Sequence, residues 1–185
     1  MEVSRGEIVK GVNLPFWLAA FFVVALDQIS KVWIRSSFSL GQTQPILENW
    51  IRFTHSQNTG AAWGMMSGQR WLLIFVSIGV AGFILYLARD FARESGNRVL
   101  PLSALGLIFG GAIGNLIDRI LFGVVTDFID LITPLEFLRT FPIFNIADSA
   151  LTIGVLLLML HFLLHRENDS HTVTANPNSN ASDSL

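Results

Sequence analysis

The chain has 185 residues, of which 51% are hydrophobic and only 14% are charged, against about 25% charged residues in an ordinary soluble domain. This composition is typical of a membrane protein. The net charge of −2 gives no basic patch for a nucleic-acid partner. The absence of cysteine excludes disulfides, thiolate nucleophiles, iron–sulfur clusters and cysteine-type zinc sites.

Four apolar segments are long enough to cross a bilayer, which takes roughly 20 residues of helix. They predict an all-α membrane protein with four transmembrane helices, formed as one domain over residues 1–166. The polar stretch 167–185 is rich in Asn and Ser and is predicted to be a disordered tail. The approximate helices are 12–33, 71–88, 99–121 and 143–164.

The first apolar segment follows Arg5 and Lys10, as the apolar part of a cleaved signal peptide would. It offers no small-x-small cleavage site and ends in charged residues, so a retained helix is favoured. Four spans place both termini on one side. Lys and Arg are evenly divided between the two sides, but the short loop 89–98 holds three arginines and favours the cytoplasm for the side of the termini.

The segment 34–68 is too long for a bare connection between helices 1 and 2. Its stretch "ENWIRFTHS" has strand-like composition, and the glycines that follow supply turns. We therefore expect a small extracytoplasmic β-rich region with Trp50, Phe53 and Trp63 at the depth of the lipid headgroups. The alternative is a structural cap without a functional surface.

Polar residues are concentrated at one end of the predicted bundle, where helix spacing brings several of them onto shared faces. Gly106, Gly110 and Gly114 form a small-residue stripe that lets helices approach closely there. The polar residues at this end are Asp27, Asn58, Asn115, Asp118, Arg119, Asp127, Asn145 and Asp148.

Two of these carboxylates have no basic residue within four positions, Asp127 and Asp148. In a narrow site such a pair shares one proton, and it can hydrolyse an amide by general acid–base catalysis through a bound water. Simpler structural roles remain open for other residues. Asp118 and Arg119 can form an interfacial ion pair, Asp130 is expected to face solvent, and Asn145 can be a helix N-cap.

Asp27 and Lys31 are spaced i,i+4, so they can form a salt bridge at the end of the first helix, which can also brace a site. A metal site built from Asp118, Asp127, Asp130 and Asp148 lacks any known ligand spacing. No metal and no cofactor are therefore predicted.

A rival function is a transporter or proton relay that uses the intramembrane acids. A relay needs acidic groups in mid-span, and the second and third spans have none there. A structural subunit without chemistry would leave Asp127 and Asp148 unexplained. A hydrolase is therefore favoured over both alternatives.

Five motifs in order resemble the lipoprotein signal peptidase family, also called signal peptidase II. They cover most of the chain from the first span to the fourth. Ser30 and Trp63 depart from the residues common in that family, without touching the proposed chemistry. The motifs are "DQISK" (27–31), "NTGAAWG" (58–64), "GGAIGNLIDR" (110–119), "GVVTDFID" (123–130) and "FNIADSALTIG" (144–154).

The resemblance implies an aspartic endopeptidase with Asp127 and Asp148 as its catalytic pair. It implies substrate-binding or supporting roles for eight further residues of the motifs. Those residues are Asp27, Lys31, Asn58, Gly60, Asn115, Asp118, Arg119 and Asn145.

The resemblance also implies the setting of the reaction. The enzyme would lie in the bacterial cytoplasmic (inner) membrane with its active site near the outer face. It would remove signal peptides from prolipoproteins by cutting before a cysteine that carries diacylglyceryl. Its partners would be these prolipoproteins, membrane lipid and inhibitors of the globomycin type.

Overall fold

Four long helices and a small antiparallel sheet make up the fold, as the sequence predicts. The computed structural model describes residues 14–60, 65–93, 98–133 and 141–173, with side chains up to residue 164. Each helix is long and apolar enough to cross a membrane. In chain order the elements are α1 (Leu14–Ser37), β1 (Thr43–Leu47), β2 (Ile51–Asn58), α2 (Arg70–Phe91), α3 (Val99–Phe122), β3 (Val125–Leu131) and α4 (Ile146–Val173).

The last helix extends further than hydropathy indicates. It begins at Ile146 and continues to Val173, into the segment predicted as a disordered tail. Hydropathy marks the apolar part of a helix and not its end, because polar residues also form helix once they have left the membrane. Trp63 and residues 174–185 of the predicted tail lie outside the described residues, so the predictions made for them stay predictions.

Helix α3 is the central helix and packs against α1, α2 and α4. In its most apolar stretch, 67% of the residues are buried, whereas the corresponding stretches of the other three helices have 22–28% of their residues buried. The glycine stripe allows this close packing: a Cβ on Gly110 would lie 2.8 Å from the Cβ of Val23 in α1. A Cβ on Gly114 would lie 2.6 Å from an Asp27 carboxylate oxygen. The stripe therefore brings α1 against α3 beside the polar end of the bundle.

The outer faces of the helices expose large apolar side chains, as the lipid-facing surface of a membrane protein does. Phe21, Phe75, Phe83 and Leu163 are among those more than half exposed. The fully buried polar residues lie instead at one end of the bundle. Polar groups are thus kept from the surface that faces the hydrocarbon.

The sheet has the order β1-β2-β3 with antiparallel pairing throughout. Its first two strands confirm the β-rich region expected between helices 1 and 2. The third strand, Val125–Leu131, comes from the connection between α3 and α4, which the sequence analysis did not identify as a strand. Phe128 of this strand is buried with Ile34 and Phe38, so the sheet rests on the end of α1.

Candidate active site

The predicted site residues come together where α1, α3 and α4 meet the sheet. Asp127 lies on β3, in register with Ser56 of β2. Asp148 lies in the first turn of α4. The two carboxylates are therefore supplied by different elements, and a third residue, Asn145, touches both of them.

Asp127 is almost fully buried, with 3% of its surface exposed. Its Oδ1 accepts a hydrogen bond of 2.6 Å from Asn145 Nδ2, and its Oδ2 accepts one of 3.1 Å from Asn58 Nδ2. Burial and, secondarily, the charge of Asp148 raise the pKa of Asp127 to about 7. The two amide hydrogen bonds oppose that rise because they favour the ionised form.

Asp148 is held by the residues that begin α4. Its Oδ1 accepts a bond of 2.8 Å from Asn115 Nδ2, and its Oδ2 accepts one of 3.2 Å from the backbone N–H of Asn145. In return the backbone N–H of Asp148 donates to Asn145 Oδ1 at 2.9 Å. This reciprocal pair has the pattern of a capping box. Asn145 is thus the N-cap that the sequence left open, and it also contacts the site.

Asn145 is fully buried and connects the two acids. Besides Asp127, its Nδ2 contacts Asn115 Oδ1 at 3.1 Å. The side-chain network therefore runs from Asp127 through Asn145 and Asn115 to Asp148. Such a network fixes both carboxylates relative to each other, because any rotation breaks several hydrogen bonds at once.

Beneath the two acids lies a buried ion cluster that begins with the predicted salt bridge of α1. Lys31 Nζ is 2.8 Å from Asp27 Oδ2, and neither side chain is exposed to any extent. Lys31 also donates to Asn115 Oδ1 at 2.8 Å. Asp27 Oδ1 accepts the backbone N–H of Ala147 at 3.0 Å. The cluster thus ties α1 to both helices that carry the network.

The prediction of an ion pair between Asp118 and Arg119 is wrong. Asp118 is fully buried and pairs with Lys31 at 3.6 Å and with Arg35 at 3.4 Å. Its Oδ2 also accepts the backbone N–H of Thr126, next to Asp127. The spacing of Asp118 and Arg119 does not decide the pairing, because consecutive residues on a helix point in different directions.

Arg35 and Thr126 are site residues that the sequence analysis missed. Arg35 Nη1 donates to Thr126 Oγ1 at 2.9 Å, so α1 holds β3 directly beside Asp127. One signal was available: Arg35 follows Lys31 by four residues and therefore continues the same face of α1.

Arg119 points instead toward the turn after β2. Its Nη2 donates to the carbonyl oxygen of Gly60 at 3.0 Å, and the N–H of Gly60 donates to Asn58 Oδ1 at 2.9 Å. Arg119 also interacts electrostatically with Asp148 and Asp127. Its positive charge therefore offsets part of the negative charge of the two acids.

The expectation that Asp130 faces solvent is also wrong. Its Oδ2 accepts hydrogen bonds from Arg52 Nε at 2.6 Å and from Thr54 Oγ1 at 2.8 Å. Asp130 therefore forms a separate pair on the sheet. The acids suggested as metal ligands are thus divided among different partners. Within the described ranges, no group of three or more His, Asp or Glu residues is placed to hold a metal ion.

Known proteins are similar to this chain in sequence and in fold over most of its length. A sequence profile described as signal peptidase (SPase) II matches residues 19–164. The chain belongs to the signal peptidase II family. A lipoprotein signal peptidase of Shouchella clausii (strain KSM-K16) is 44% identical over 156 residues, which are 84% of this chain and 97% of that protein.

Two solved structures with similar folds are described as bacterial membrane enzymes determined by the in meso method. The one at 2.3 Å resolution is 34% identical, with a TM-score of 0.74, and the match covers 89% of this chain and 92% of that one. The one at 1.9 Å resolution is 35% identical, with a TM-score of 0.69, and the match covers 86% and 94%. These likenesses support four membrane helices as the scaffold of the site.

Proposed function

We propose that this protein is an aspartic endopeptidase of the bacterial inner membrane. It removes the signal peptide from diacylglyceryl-modified prolipoproteins and cleaves before the lipid-modified cysteine. Membership of the signal peptidase II family supports the substrate class. The observation that carries the chemistry is the pair of buried carboxylates, Asp127 and Asp148, joined through Asn145.

The two acids share one proton near neutral pH. Asp127 holds this proton in about half of the molecules at pH 7 and in most of them below it, because burial and, secondarily, the charge of Asp148 raise its pKa to about 7. We assign the negative charge of the pair to Asp148, because it lies in the first turn of α4, where the helix dipole favours a negative charge. Asp127 is thus the general acid and Asp148 the general base.

Hydrolysis then proceeds without a covalent intermediate. Asp148 removes a proton from a water that attacks the carbonyl carbon of the scissile amide, while Asp127 donates its proton to the carbonyl oxygen. The tetrahedral intermediate collapses as Asp148 passes its proton to the leaving nitrogen and Asp127 recovers a proton from the hydroxyl. The C–N bond breaks, and both acids return to their starting states.

The supporting residues keep this arrangement in place. Lys31 and Asn115 hold the hydrogen-bond network, and Asn58, Gly60 and Arg119 form the polar wall on the sheet side. The site lies near the outer face of the inner membrane, and both termini lie in the cytoplasm. Diacylglyceryl chains bound in lipid between the helices bring the scissile bond to the acids by lateral access. Inhibitors of the globomycin type bind at the same site.

Cleavage of a purified prolipoprotein in detergent tests the proposed substrate class. We expect the diacylglyceryl-modified precursor to be cut, with the product beginning at the modified cysteine by mass spectrometry. The unmodified precursor, identical in sequence, is the matched control and should be cut less efficiently by on the order of 100-fold, because binding energy from the lipid is lost. Equal cleavage of the two precursors would contradict the proposal.

The pKa of Asp127 sets the alkaline limit of activity. As the pH rises through about 7, Asp127 loses the proton it must donate, so kcat/KM should fall about tenfold per pH unit above that point. The raised pKa also means that the folded state binds this proton more tightly than the unfolded chain does. The contribution of Asp127 to stability is therefore lost as the pH rises from about 4 through about 7.

Asn58→Ala provides the control for this pH assignment. The Asn58 amide favours the ionised form of Asp127, so its removal should move the alkaline limb of kcat/KM to higher pH. Gln44→Ala, an exposed change on β1, should leave the limb in place. An alkaline limb that moves to lower pH in Asn58→Ala would exclude Asp127 as the acid.

A further inference from the structure

A cavity of about 350 Å³ borders only one of the two acids. It lies against the sheet, where Ser56 is in register with Asp127 and Asn58 bonds to the Asp127 carboxylate. Asp148 does not line it. Among the described residues, its lining consists of Ser56, Gln57, Asn58, Thr59, Asp127, Pro142 and Ile143.

All of these lining residues belong to the sheet side of the molecule and none to the four membrane helices. Four consecutive neutral polar residues, 56–59, make up one wall, and Pro142 and Ile143 make up the other. Such a lining suits a polypeptide in contact with water, since one wall offers hydrogen-bonding groups to a peptide backbone and the other offers a small apolar surface to a side chain.

A substrate bound across the two acids has two different sides. Its signal peptide is apolar and crosses the membrane, so it stays with the helices on the Asp148 side. Its mature part must leave the membrane for water. The side of Asp127, where the sheet and the cavity lie outside the spans, provides that path.

We propose that this cavity binds the polypeptide segment that directly follows the lipid-modified cysteine. The inference rests on the proposed function and adds a second binding region to it. The diacylglyceryl group holds the cysteine at the membrane, while the cavity holds the residues after it. Together they fix the scissile bond from both sides, so binding energy distant from the bond contributes to the rate.

Two lipidated substrates test the subsite. Both carry the same signal peptide and diacylglyceryl-cysteine, but the short one ends in a cysteine amide and the long one continues with the mature residues. For the wild type we expect kcat/KM to be on the order of tenfold higher for the long substrate. Ser56→Trp and Ile143→Trp fill the cavity from opposite walls, and each should lower the advantage of the long substrate to near onefold.

Gln44→Trp is the matched control, because it adds the same side chain to an exposed position of β1 outside the cavity. It should keep the wild-type ratio. The ratio of the two substrates cancels any general damage to Asp127 caused by the new side chain. Equal rates for both substrates in the wild type, or a ratio unchanged in both filling variants, would overturn the subsite alone. A wild type that cuts neither lipidated substrate would overturn the proposed function.

Discussion

Asp127→Asn and Asp148→Asn should each lower kcat for prolipoprotein cleavage by roughly 10²–10⁴-fold, the contribution typical of a general acid or base. Asparagine keeps the size of the side chain but can neither give up nor receive the proton that the reaction moves. Because the substrate is held mainly by its lipid and signal helix, KM should change little. The measurement is a time course of cleavage of the diacylglyceryl-modified precursor in detergent.

Asp130→Asn is the matched control for these two variants. It removes a carboxylate from the same strand as Asp127, but one that pairs with Arg52 and Thr54 away from the network. It should cut at close to the wild-type rate. A folded Asp127→Asn or Asp148→Asn protein with the wild-type rate would show that the dyad is wrong. Proton-flux measurements in vesicles would then test the rival relay function.

Lys31→Met should lower the free energy of unfolding by about 3–5 kcal/mol, the cost of leaving a buried charge without its partner. Methionine fills similar space but leaves Asp27 with no cation, and both side chains are fully buried. The loss should be visible as a lower midpoint in reversible unfolding in mixed detergent. Activity should fall as well, because Lys31 also holds Asn115, which bonds to Asp148.

Two comparisons separate this charge effect from general damage to the fold. The double variant Asp27→Asn/Lys31→Met removes both charges and should recover most of the lost stability. Arg52→Met breaks the ion pair with Asp130, but the Arg52 side chain is 40% exposed and Asp130 keeps its hydrogen bond from Thr54, so the expected loss is smaller than that of Lys31→Met. If Lys31→Met costs no more than Arg52→Met, the buried pair does not stabilise the fold.

Local patterns in the sequence identified most of the scaffold. Apolar length alone predicted four spans, and the structure has four such helices. The i,i+4 spacing predicted the Asp27–Lys31 salt bridge, because helix geometry brings those side chains together wherever the helix lies. The absence of nearby basic residues singled out Asp127 and Asp148, and both are indeed bound by amides rather than by cations at close range.

Partners distant in sequence could not be predicted in this way. Asp118 had a cation directly beside it in Arg119, yet it pairs with Arg35 and Lys31, which reach it from a different helix. The strand Val125–Leu131 carries Asp127 and pairs with β2 from the far side of two membrane helices. The burial of Asp130 also depends on this pairing of distant strands, because the register of β3 with β2 places Asp130 opposite Arg52.

The sequence by itself therefore determined the four membrane-spanning helices and the family, and it singled out the two acids that we propose as catalytic. Length, hydropathy and helix spacing depend only on neighbouring residues, so they can be evaluated along the chain. Only the tertiary structure decided which side chains hold those acids, that Asn145 joins them, and that a cavity borders Asp127 alone. These features depend on how α1, α3, α4 and the sheet pack, and buried polar groups take as partners whatever that packing brings within reach.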